Sequence, residues 1–124
     1  MADHLVWEPD GLVHYFSGVL TGAELLRAIE TAHADPRFDS AKYAIADFTA
    51  CAGLRVTEED AAILTAIAGV AARNRRRTTR SAFVVTDPAL VEHFDRFIAS
   101  PLSPPDTRRF TSLDEARRWA MERG

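Results

Sequence analysis

The run Tyr43-Ala44-Ile45-Ala46-Asp47-Phe48 is apolar apart from one acid. It feeds into Thr49-Ala50-Cys51-Ala52-Gly53, small and polar residues that precede a long helical pattern. A buried strand, a short loop and a helix in that order form the repeating unit of α/β proteins, which place their ligands at the carboxyl ends of such strands. The rest of the chain follows the same alternation.

His4 to Glu8 and Leu12 to Ser17 are rich in Val, Leu, Trp, Tyr and Phe and flank Pro9-Asp10-Gly11, which predicts a β-hairpin. Thr21-Gly22-Ala23-Glu24 is a capping box, and Leu25, Leu26, Ile29 and Ala32 recur at helical spacing until Asp35-Pro36. The next strand is expected over Lys42 to Phe48. Thr57-Glu58-Glu59-Asp60 opens a second helix, whose Ile63, Leu64, Ile67, Val70 and Ala71 form a face expected to pack on the sheet. Ser81 to Thr86 reads as a strand, and Asp87-Pro88 as the start of a helix carrying Leu90, Val91, Phe94, Phe97 and Ile98. A proline-rich loop over Ser100 to Asp106 leads to a short strand, Thr107 to Phe110. A last helix is capped by Ser112 and bears Ala116, Trp119 and Ala120. The order ββαβαβαβα predicts one α/β domain over residues 1–124, with a parallel sheet begun by an antiparallel hairpin.

Charge and composition exclude several classes. The net charge of −3 divides into −7 over residues 1–66 and +4 over residues 67–124. Arg73, Arg75, Arg76, Arg77 and Arg80 could meet phosphates, but they also fall where cations complement a helix C-terminus. The acidic total and the lack of interleaved aromatics make nucleic acid an unexpected partner. No run is long enough to span a bilayer, and the acidic N-terminus does not resemble a secretory signal, so a cytoplasmic location is expected. Cys51 is the single cysteine, which rules out an intrachain disulfide. His4, His14, His33 and His93 show no metal-ligand spacing, and Gly18, Gly22 and Gly53 form no dinucleotide or phosphate loop, so neither metal nor cofactor is expected.

At this point the residues resemble a family. Phe16-Ser17-Gly18-Val19-Leu20-Thr21, the Asp47-Phe48-Thr49 strand end with Gly53 before a helix, Phe83-Val84-Val85, and the closing Phe110-Thr111-Ser112-Leu113-Asp114-Glu115-Ala116-Arg117-Arg118-Trp119 resemble the SpoIIAA-like branch of the STAS superfamily over nearly the whole chain. The resemblance implies a mixed five-stranded sheet packed with four helices. It also implies an interaction role, since the superfamily includes anti-sigma-factor antagonists in which a serine in a D-S-S-G-like turn at a helix start is phosphorylated. In this chain Ala50-Cys51-Ala52-Gly53-Leu54 occupies the expected place of that serine, so the turn is degenerate and only Thr49 or Thr57 offers a hydroxyl.

The expected function is therefore a non-enzymatic regulatory or protein-interaction module with a site among Asp47, Thr49, Cys51, Gly53 and Thr57. Asp47 could act as a base or ligand contact at its strand end, or accept hydrogen bonds from loop amides. Cys51 could be a nucleophile if its pKa were lowered, or a small buried residue. The alternative function is a binder of a small apolar or lipid-like ligand in a groove formed by Phe94, Phe97, Ile98 and Leu102, a surface that core packing accounts for more simply and that could also border a second subunit in a homodimer.

Overall fold

The computed structural model describes residues 2–73, 79–101 and 106–122. Its strands are β1 (Ala2–Trp7), β2 (Gly11–Thr21), β3 (Tyr43–Arg55), β4 (Arg80–Val84) and β5 (Thr107–Phe110), and its helices are α1 (Gly22–Ala34), α2 (Glu58–Arg73), α3 (Pro88–Ala99) and α4 (Leu113–Met121). A 3₁₀ turn, Pro36–Ser40, links α1 to β3. The five strands form one sheet in the order β1-β2-β3-β4-β5. β1 and β2 pair antiparallel, and the other neighbouring pairs are parallel.

Because each parallel crossover steps one strand in the same direction, right-handed connections direct α1, α2 and α3 to one side of the sheet. Phe16, Leu20, Phe48, Val85, Ala28, Leu90 and Phe94 bury themselves there. Three of these rings pack in series, Phe16 stacked on Phe48 at 4.7 Å and Phe94 tilted against Phe48 at 4.6 Å between centroids. The opposite side is closed by α4, whose Ala116 and Ala120 pack on Val13, Tyr43, Ile45, Ala82 and Val84. The expected caps are present at Thr21, Asp87 and Ser112, each side chain accepting a backbone N–H of the first helical turn.

Two expectations are corrected. The strands that frame the candidate site run far past their expected ends: β2 continues to Thr21 and β3 to Arg55, so residues 49–55 are strand and not loop. Pairing of β3 with β4 stops at Asp47, and pairing of β2 with β1 stops at Ser17. Beyond those points β2 and β3 pair only with each other, forming a two-stranded ribbon that overhangs the sheet. Two register shifts bend the ribbon, and Gly18 adopts φ 76° at one of them, a left-handed conformation that a side chain would strain.

The second correction concerns α2, which packs chiefly on α1 and not on the sheet. Among its side chains that are described, Thr65 and Gly69 are buried and Leu64 and Ile67 half-buried, while Ile63 and Val70 are 45% and 49% exposed. The overhang is the reason. Both α1 and α2 start at the far end of the ribbon and run back side by side. Gly22 permits the close approach at their starts, since a Cβ there would lie 2.5 Å from Asp60 Oδ2.

Of the arginine cluster, residues 75–77 lie outside the described residues. Arg80 is described, and its Nη1 donates to the carbonyls of Trp119 at 2.6 Å and Glu122 at 2.8 Å, which caps the C-terminus of α4.

Candidate functional site

Asp47 stands where the five-stranded sheet ends and the ribbon begins, opposite Tyr15 on β2 and Val84 on β4. Strand alternation sets it on the α4 side with Tyr43 and Ile45. It is buried, with 7% exposure, and its Oδ1 accepts the Thr49 backbone N–H at 2.9 Å. Among the described residues no donor meets Oδ2. Thr49 itself is exposed on the ribbon.

Cys51 faces the opposite side and is 6% exposed, among Phe48, Leu20 and Leu90. Its Sγ donates to the Gly53 carbonyl at 3.3 Å. Burial pushes the thiol pKa up, and the Asp87 carboxylate adds to the rise. These effects oppose a thiolate, so Cys51 is a small core residue. Gly53 sits on the strand with room for a Cβ, 3.9 Å from Val19 Cγ2.

Thr57 is the hydroxyl at the strand-to-helix turn. It is exposed and caps α2 by accepting the Asp60 N–H at 3.0 Å, while its own N–H reaches Asp60 Oδ2 at 3.2 Å. The turn at a helix start therefore falls at Val56-Thr57 and not at residues 50–54. The chain thus brings Asp47 to Thr49 and Cys51 to Gly53, and leaves Thr57 apart with the acids of α2.

In the expected apolar groove, Phe94 is buried against Phe48 and Phe83, and Phe97 presents its edge to Phe83 at 5.4 Å. These rings fill the space beside α3 with one another. Ile98 is half-buried, and Leu102 lies outside the described residues.

Three features had no signal in the sequence. Glu8, at the hairpin turn, takes a two-pronged ion pair from Arg117 on α4, with both N–O distances 2.7 Å, and accepts the Tyr43 hydroxyl. The Arg117 guanidinium holds the Glu8 carboxyl below its ordinary value. Burial pushes the Tyr43 phenol well up, and its bond to Glu8 adds to the rise. His14, buried and stacked on Phe16, lies with Nε2 2.8 Å from Asp3 Oδ2. The third is a surface depression of about 260 Å³ at the hairpin turn, lined by Trp7, Glu8, Asp10, Arg37 and Ser40 among others; Arg37 covers the Trp7 ring at 4.6 Å. Partners as distant as Glu8 and Arg117 leave no local pattern to read. No group of three His, Cys, Asp or Glu side chains suited to a metal occurs among the described residues, and no helix there is long and apolar enough to cross a membrane.

No protein-family model matches the chain, and no curated protein matches it. Solved structures do. The anti-sigma factor antagonist SpoIIAA in its unphosphorylated form aligns with a TM-score of 0.61 and 11% identity over 94% of each chain. The Bacillus cell fate determinant SpoIIAA in the phosphorylated form aligns with a TM-score of 0.61 and 14% identity over 95% of this chain and 99% of that one. An uncharacterized DUF3478-family protein with a SpoIIAA-like fold from Shewanella loihica PV-4 gives 0.58 and 18% over 96% and 92%. The fold is SpoIIAA-like, as the sequence resemblance implied.

Proposed function

We propose that this chain is a non-enzymatic regulatory module that works in the cytoplasm by binding another protein. The observation that carries the reading is a SpoIIAA-like fold over almost the whole chain. Asp47, Thr49 and Thr57 line the proposed contact surface along the ribbon and the start of α2. Cys51 lies on the buried side of the ribbon and supports that surface from beneath.

Thr57 is the hydroxyl at a helix start, the place where the resembling family carries its phosphoserine. Its local chemistry opposes phosphorylation. Its oxygen already serves as the cap of α2, and Glu58, Glu59 and Asp60 follow directly, so a phosphate there would meet like charge. A module in which this turn is degenerate binds without a phosphate switch.

The test is a native mass spectrum of protein purified from its source cells, followed by partner capture with wild type and with Thr49→Arg. The expected result is an unphosphorylated monomer or homodimer whose partner is lost in the folded variant. A phosphate on Thr57 would overturn the switch-free reading. A retained small molecule, with partner binding untouched by Thr49→Arg, would replace the module by a binder of an apolar ligand beside α3.

A further inference from the structure

The acids at the carboxyl end of the sheet fall into two kinds. Glu58, Glu59, Asp87 and Asp114 occupy helix N-termini, where the backbone dipole accounts for them. Asp47 has no such reason. It lies inside a strand, 93% removed from water by its 7% exposure, with one oxygen satisfied and the other facing no donor among the described residues. An ionised carboxylate taken out of water normally has both oxygens partnered, and one left half-satisfied costs free energy that a bound donor recovers. The sheet stops at this residue, and the ribbon beyond it is open: Val19 is 43% exposed, and Thr49, Ala50 and Ala52 are exposed as well.

We infer that Asp47 is the recognition carboxylate for an arginine side chain on a segment of the partner protein that lies along the exposed ribbon. The small residues Ala50, Ala52 and Gly53 leave room for a long, flat side chain. A guanidinium, planar and weakly hydrated, suits a desolvated carboxylate better than an ammonium does. Asp87 and Asp114, at the starts of the helices that follow β4 and β5, give this end of the sheet negative charge that complements a basic segment, while Asp47 fixes its register. This inference rests on the protein-interaction reading and names the chemistry of the partner.

The test titrates ¹⁵N-labelled protein with the peptide acetyl-Ser-Ala-Arg-Ala-Ser-amide, with the same peptide carrying citrulline for arginine, and with N-acetylarginine amide, while amide shifts are followed by NMR. The arginine peptide is expected to produce saturable shifts at Asp47 and Thr49 and to bind at least about tenfold more tightly than the citrulline peptide. Asp47→Asn, which keeps an oxygen for the Thr49 N–H, is expected to weaken it by a similar factor; Glu58→Gln with Glu59→Gln is expected to weaken it less than about threefold. Equal binding of the citrulline peptide overturns the inference in wild-type protein, whether or not Asp47→Asn folds. So do shifts confined to the first turn of α2. N-acetylarginine amide binding as tightly as the peptide overturns the assignment to a protein segment. These outcomes are read without the natural partner, so their failure is distinct from a failure of partner capture.

Discussion

Removing the Glu8 carboxylate should test how the hairpin is fastened to the rest of the fold. In Glu8→Ala, Arg117 loses a two-pronged partner at 2.7 Å and the Tyr43 hydroxyl, on a residue only 1% exposed, loses its acceptor. Breaking a buried ion pair by deleting one partner costs about 3–5 kcal/mol. The side chains of Arg117 and Glu8 retain 30% and 17% exposure, so solvent offsets part of that cost. Adding an unpaired phenol, the expected loss is about 3 kcal/mol, or a fall in Tm of roughly 12 °C for a chain of this length. Tyr43→Phe removes a single bond and should cost only about 1 kcal/mol. The sign with pH follows from the lowered carboxyl pKa. The pair stabilises fully above the ordinary value of 4.5, and that stabilisation is lost as pH falls below it through the depressed folded value. Urea unfolding of wild type and Glu8→Ala should therefore show a large gap at pH 7 that narrows as pH falls below the ordinary carboxyl value of 4.5. A gap under about 1 kcal/mol at pH 7, or one independent of pH, would refute the reasoning.

Three further outcomes are expected. Gly22→Ala forces a Cβ to within 2.5 Å of Asp60 Oδ2 and 2.8 Å of Asp60 Cβ and should destabilise by about 1–3 kcal/mol in chemical denaturation; a loss below about 0.5 kcal/mol would contradict the close approach of α1 and α2. Cys51, buried and with its thiol pKa raised, should react with a thiol reagent at neutral pH only on unfolding; rapid labelling of the native protein would contradict its core assignment. Ile63→Ser and Val70→Ser should each change stability by less than about 0.5–1 kcal/mol, because their side chains are already nearly half in water; a loss above about 2 kcal/mol would mean that α2 packs on the sheet after all.

The outline of the fold was legible because its signals are local. Capping residues at Thr21, Asp87 and Ser112 and the apolar periodicity of β3, β4 and α3 each act within a few residues, and the structure keeps them. What failed was the reading of segments whose state depends on a distant partner. Thr49 to Arg55, with two alanines and a glycine, has little strand propensity of its own and looks like a loop. It is extended because Ser17 to Thr21 of β2 pairs with it. The face of α2 departs from expectation for the same kind of reason: a helix buries the side that has something to pack on, and the overhang offers α1, so Thr65 and Gly69 are buried while Ile63 and Val70 stay exposed.

The same extension reorders the candidate site. With residues 49–55 in a loop, Asp47, Thr49, Cys51, Gly53 and Thr57 could have gathered around one point. On a strand their side chains separate by face and by length. Eight residues of ribbon at ~3.3 Å each carry the chain roughly 26 Å from Asp47 to Arg55, so Asp47 and Thr57 cannot share one small ligand. Cys51 is turned into the aromatic core, and Thr57 is held as a helix cap. A surface of that length, edged by exposed backbone and ending in a row of acids, suits an extended segment of another protein better than a substrate that must be enclosed. Within it, Asp47 is the one polar side chain that burial leaves half-satisfied, which is why the arginine titration tests the interaction reading at its most specific point.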